Sequence, residues 1–442
     1  MSRIVRSIAS LARLAFRETI RSRLAASVAF AVACAIAAIR RATPSGDQAS
    51  AHNFVFYSLV AVSAIIAVSI LAAGASSIAG ETRSKTLSLA RVKPIPMFCF
   101  LAGRWIGISA TFAAILAAAL AAVAILAGSG APSVCSRRVV PDLPDAATVA
   151  KAAVANAKAA GVTDPAELSG LRRDVVAKLP FATEAVSPGK PLKLAFPLPR
   201  AIGGDRPLEL EIKFASDSYS ATPLAVVCSI RDAAAPESAP PAASLQITNI
   251  TSRLMSLPFP SDRLAGAEAL SLEIAHSGTG DEMPVLVQPR QAVAILVPDG
   301  PQSVNYVRAF LVILPILALL AAAGLALGSL FSLPVALFCA AGLVISVFTA
   351  DYSMSDPDAL SFEDLPPPTP VQAVTRRVSA ATVRTLSFVA RTATAPHPAA
   401  SLAGAVAIPG REIAASVVWN GALLPAALLL AASAVLKRKE LP

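Results

Sequence analysis

The stretch that decides the reading runs from Gly80 to Arg104, GETRSKTLSLARVKPIPMFCFLAGR, between two long apolar runs. It holds Glu81, Arg83, Lys85, Arg91, Lys93 and Arg104, too much charge to lie in hydrocarbon, and it is too short to be a domain. The runs on either side, 54–79 and 105–128, are each long enough to cross a bilayer, which needs roughly 20 apolar residues. Residues 80–104 are therefore expected in water at one membrane face, with a backbone open to another protein.

Working outward, segments 24–39, 307–328, 335–350 and 415–436 bring the predicted spans to six. Composition agrees. Of 442 residues, 55% are hydrophobic and only 15% charged, against roughly a quarter charged in an ordinary soluble domain. Mean hydropathy is +0.64. A formal charge of +10 raises nucleic acid as a partner, but the placement of the charge sets it aside. Arg3, Arg6, Arg13, Arg17, Arg21 and Arg23 precede the first span. The loop cluster follows the second, and Lys437, Arg438 and Lys439 follow the last. If each segment crosses once, all three clusters face the same side, as the positive-inside rule requires. Both termini are then expected in the cytoplasm and the chain in the inner (cytoplasmic) membrane. Arg40 and Arg41, beyond the first span, are the exception. Trp105, at the head of the third span, is expected as an interfacial anchor.

Residues 1–23 are basic and amphipathic, with Ile4, Ile8, Leu11 and Ala15 on one face. The region is too long for the short basic start of a signal peptide. A helix on the cytoplasmic surface, its apolar face in the headgroups and its arginines wet, is the expectation.

The predicted fold class is membrane α-helical, with an inserted extracytoplasmic α+β domain at 130–304. This domain opens with two helices, Asp145 to Ala160 stopping at Gly161, and a second begun by Asp164-Pro165. After Pro180 the period becomes two: Leu192, Leu194, Phe196 and Leu198, then Leu208, Leu210, Ile212 and Phe214, then Leu224, Val226, Cys228 and Ile230. Leu245 and Ile247, Leu270 to Ile274, and Val293 to Val297 continue it. Half-buried strands between Pro/Gly/Asp turns predict an antiparallel sandwich, jelly-roll-like. Two spans follow within 305–350; then 351–412 is a Pro-rich linker with an amphipathic stretch, and 413–442 the last helix and its basic tail.

Catalytic patterns are poor. The chain has no Gly-x-x-x-x-Gly-Lys-Ser/Thr to cradle nucleotide phosphates, and Gly189-Lys190-Pro191 reads as a turn. His52, His276 and His397 lie far apart without ligand neighbours and are expected at the surface. Asp142/Asp145 and Asp356/Asp358 sit beside prolines, where caps and turns are their expected roles. No enzyme activity and no cofactor of its own are expected. Cys135 and Cys228 both fall in the outer domain, where an oxidising compartment permits a disulfide. Cys34, Cys99 and Cys339 read as small packing residues.

Three places carry a resemblance to the membrane subunits of type-2 ABC exporters, particularly permeases associated with multi-copper-enzyme maturation. Ala12 to Arg21, with Arg13, Arg17, Glu18 and Arg21, is similar to the family's elbow helix. Gly80-Glu81, Thr86-Leu87, Lys93-Pro94-Ile95 and Gly103-Arg104-Trp105-Ile106-Gly107 resemble its segment between helices two and three. The last helix, closed by Lys437-Arg438-Lys439-Glu440-Leu441, resembles its ending. The resemblance implies a separate ATPase chain that binds the ATP, and a dimer with a second copy or a paralogue. Residues 80–104 would then couple the two subunits, Glu81 and Arg83 making charged contacts and Leu87 filling a groove on the ATPase. Two other readings stand beside it. One is a lipid-extracting permease of the lipopolysaccharide-export type, which also places a jelly roll between helices three and four. The other is a membrane-anchored sensor whose sandwich binds a glycan or a protein.

Overall fold

The computed structural model describes residues 2–43, 48–83, 96–128, 132–162, 164–179, 182–198, 202, 207–215, 226–236, 240–247, 255–277, 285–342 and 398–438. They form two units: Met1–Cys135 with Pro301–Pro442, and Ser136–Gly300.

The first unit is helical. After α1 (Ser2–Arg21), the single residue Ser22 separates it from α2 (Arg23–Ala42). The Ser22 hydroxyl donates to Thr19 O at 2.6 Å and accepts from Ala25 N at 3.2 Å, so one side chain closes one helix and caps the next. At the far end of α2, Thr43 N donates to Ile39 O and Pro44 bars continuation. Arg40, the exception to the charge rule, lies with its guanidinium 5.6 Å from the Phe54 ring centroid, a cation–π contact.

Next come α3 (Gln48–Arg83), α4 (Met97–Ala127) and α7 (Gln302–Leu330). The last long helix, α10 (Gly410–Arg438), contains a π-helical stretch at Ser416–Leu423. Five helices of the described residues are long and apolar enough to cross a membrane: α2, α3, α4, α7 and α10. The predicted segment 335–350 enters as a short apolar helix, α8 (Leu333–Gly342), and its remainder lies outside the described residues. A ten-residue helix reaches only about 15 Å, half a bilayer core. The span α7 is the centre of the bundle, with 67% of its 18-residue apolar stretch buried against 22% of the corresponding stretches of α2 and α10. Phe54, Ile66, Leu101, Phe112, Leu116, Val312 and Leu325 belong to one continuous core.

The second unit carries two helices and the sheets. In α5 (Ala146–Ala159), the Asp145 carboxylate caps the first turn by accepting from Thr148 N at 3.0 Å. Gly161, at φ +94°, lets the chain leave, and α6 (Pro165–Lys178) packs back on α5.

Eleven strands among the described residues then make three sheets. One has the order β1 (Val134–Val139), β11 (Val293–Pro301), β4 (Leu208–Ile212), β8 (Met255–Phe259). A second runs β3 (Leu192–Pro197), β9 (Ala269–His276), β6 (Val226–Asp232), β7 (Ala243–Ile247). A small one joins β2 (Glu184–Val186), β10 (Val285–Val287) and β5 (Phe214–Ala215). The pairing is antiparallel, with Leu210 opposite Ile295 and Cys228 opposite Ile274. Alternation places Leu208, Leu210 and Ile212, Val226, Cys228 and Ile230, and Leu270, Leu272 and Ile274 in one shared core. Pro258 is tolerated because β8 is an edge strand. Strands β1, β2 and β10 carry too little alternation to be read beforehand: two have three residues, and β1 is interrupted by Arg137-Arg138. Strand β8 does alternate, through Met255, Leu257 and Phe259, and was missed with Pro258 inside it.

Candidate coupling site

Two glycines decide how α1 is held. On α4, Gly103 and Gly107 stand one helical turn apart and leave a groove free of side chains. A Cβ on Gly103 would stand 2.5 Å from Leu11 Cβ; one on Gly107 would stand 2.6 Å from both Ala12 O and Ala15 Cβ. The contact advances four residues on both helices, so α1 and α4 run side by side in the same sense. This corrects the expectation that the apolar face of α1 lies in headgroups. Ala15 is 1% exposed because it fits against Gly107. A polar tie is added by the ion pair between Glu18 and Arg104, whose guanidinium also lies 5.9 Å from the Phe100 ring centroid.

The same device joins α3 to α7. Gly324 and Gly328 admit the backbone of α3, the Cβ positions falling against Leu71 O and Ala75 O. A Cβ on Gly74 would stand 2.7 Å from Ala321 O. The Trp105 indole donates to Ala318 O at 2.7 Å, tying α4 to α7. Helices α1, α4, α7 and α3 are thus locked in series. The missed signal was glycine at a spacing of four, in Gly103-x-x-x-Gly107 and Gly324-x-x-x-Gly328.

The predicted loop is largely helix at its two ends. Helix α3 continues through Arg83 and α4 begins at Met97, after Pro96. Glu81 and Arg83 are therefore on the last turn of α3, with side chains outside the description, and Thr86, Leu87, Lys93 and Pro94 lie outside the described residues. Of the elbow residues, Glu18 alone reaches another helix; Arg13, Arg17 and Arg21 are exposed.

No family model, curated protein or solved structure matches this chain. The site therefore rests on its own geometry.

Among the described residues no group of three His, Cys, Asp or Glu side chains is placed to hold a metal. His276 is 6% exposed on β9, opposite Val226, and not at the surface as expected; His52 is exposed. Gly189 sits at φ +77° in a turn closed by Lys190 N donating to Ser187 O. The disulfide is not formed. Cys135 and Cys228 are both buried and not joined in a disulfide, Cys135 reaching Pro301 O at 3.9 Å and Cys228 walled by the sandwich core. Burial in that core pushes the Cys228 thiol up to about 12.

A second polar cluster escaped the sequence reading. At the head of α7, Gln302 donates to Leu402 O at 2.8 Å and Asn305 to Val406 O at 2.9 Å. Ile408 N donates back to Asn305 Oδ1 at 3.0 Å. These amides pin 402–408, which begins in the last turn of helix α9 (Pro398–Ala403) and holds Ala405 at φ +51°. Further along α7, Pro315 removes a backbone donor, and Ser416 of α10 donates to Val312 O at 3.0 Å. Gly421 lies beside Pro315 within the π-helical stretch.

Proposed function

We propose that this chain is the membrane subunit of an ATP-driven exporter, coupled through residues 80–104 to a separate ATPase chain that binds the ATP. The observation that carries the reading is the serial locking of α1, α4, α7 and α3 around that loop. An ATPase that shifts the loop acts on the ends of α3 and α4, and both helices are fastened to α7. In the chain the helix α7 follows β11 without an intervening residue. In this reading the segment begun by α8 completes six spans, both termini are cytoplasmic, and the chain works in the inner membrane as a dimer with a copy or a paralogue. The chain contributes no catalytic group.

The test is purification of the tagged full chain in mild detergent with a search for a bound ATPase. It is repeated with Glu81, Leu87 and Lys93 changed to Ala. Retention by the native chain and loss from the variant support coupling at this loop. Absence of any ATPase from both, with the dimer intact, rejects the reading.

A second reading has one observation in its favour. The strand orders β1-β11-β4-β8 and β3-β9-β6-β7 support a jelly-roll reading of the domain, the kind of insert that lipid-extracting permeases of the lipopolysaccharide-export type also place between helices three and four. Photo-crosslinking from Leu194 or Leu272 positions separates the two, because only the second reading expects acyl chains in the sandwich core.

A further inference from the structure

Helix α1 has a second face that the groove on α4 does not use. Arg13, Arg17 and Arg21 recur every four residues, one above another, and Arg6 shares their side of the helix. All four are exposed, directly opposite the buried Ala15. Like charges at this spacing oppose helix formation by roughly 0.2–0.5 kcal/mol per pair. Among the described residues, none of the four has a carboxylate within ion-pair distance, and Glu18, the one acid of α1, is committed to Arg104. The stripe is flanked on its two sides by exposed apolar residues, Leu14 at 59% and Ile20 at 49% exposure.

We propose that this face binds the phosphates of anionic phospholipid in the leaflet from which α2 departs. Three features select that occupant. The charge is uncompensated within the described residues, so an external anion relieves the repulsion. Only Ser22 separates α1 from the membrane-spanning α2, which keeps the stripe near the headgroup layer. Apolar residues border the arginines, an arrangement that suits an interface with acyl chains beneath phosphates better than an aqueous anion. The proposal requires only that α2 enters a bilayer, so it stands or falls apart from the exporter reading.

The experiment uses the full chain in neutral detergent, titrated with phosphatidylglycerol or phosphatidylcholine in mixed micelles while its Tm is followed. Phosphatidylglycerol is expected to raise the Tm and phosphatidylcholine not to, with the rise shrinking at high salt. In R13Q/R17Q/R21Q the Tm in phosphatidylcholine is expected to be equal or higher, since repulsion is removed. Its apparent affinity for phosphatidylglycerol should fall about fivefold per arginine replaced. The control R172Q/R173Q, on α6 of the other unit, should keep the full response. A triple variant that keeps the response overturns the proposal. So does an equal rise with inorganic phosphate alone, which makes the site one for free anions, or a rise produced only by a purified ATPase, which makes it a protein surface.

Discussion

Gly107 of α4 lies directly against Ala15 of α1, close enough that a Cβ on the glycine would stand 2.6 Å from the alanine Cβ. Gly107→Ala therefore pits about 1 kcal/mol of helix propensity against an overpacked helix contact costing roughly 1–3 kcal/mol. The net expectation is a lower Tm and faster tryptic cleavage after Arg21. Gly80→Ala is the contrasting case. Gly80 is helical with nothing within 4 Å of its Cβ position, so the same substitution should stabilise by about 0.5–1 kcal/mol. If the two variants behave alike, α1 is not seated in this groove.

Asn305 is fully buried and serves two backbone groups of the 402–408 segment. Asn305→Leu leaves Val406 O and Ile408 N without it, at roughly 1–3 kcal/mol each. Hydrogen exchange should accelerate at least tenfold in 402–408, with the strands of the outer domain unchanged. Unchanged exchange there would falsify the clamp.

Glu211, on β4, pairs with Arg138 at 3.1 Å, yet its carboxyl is raised above the usual range, by burial foremost, against the lowering influence of Arg138. A carboxyl whose folded pKa is raised favours the folded state while it is protonated. That contribution is complete below the unfolded value near 4.5 and is lost as pH rises through the folded pKa. The wild type should lose stability relative to Glu211→Gln over that window. The Tm difference between the two proteins, followed upward from pH 4, measures it; a difference that grows with the opposite sign contradicts the assignment.

Cys228 is predicted to be inert. With the thiol pushed up to about 12 and no exposure, native protein should resist maleimide at pH 7.5 and react only when unfolded. Peptide mapping without reductant should recover Cys135 and Cys228 as separate free thiols. A linked peptide would overturn the arrangement of both.

The division into apolar helices and an inserted sheet domain was legible in the chain, because hydropathy and period are local properties. Twenty apolar residues have few ways to avoid a bilayer, and the alternation in Leu208-Glu209-Leu210-Glu211-Ile212 places its own faces. The Asp145 cap and the Gly161 stop were legible for the same reason. The pairing of segments was not. Whether the apolar face of α1 meets headgroups or a helix depends on Gly103 and Gly107 being turned toward it, a relation between residues far apart in the chain. That the Trp105 indole meets Ala318 O is likewise a relation between distant residues. Cys135 and Cys228 have the chemistry of a disulfide, but strand register turned Cys228 into the core, opposite Ile274. Local physics selects the elements; close packing between distant elements, which no short window of sequence contains, selects their partners.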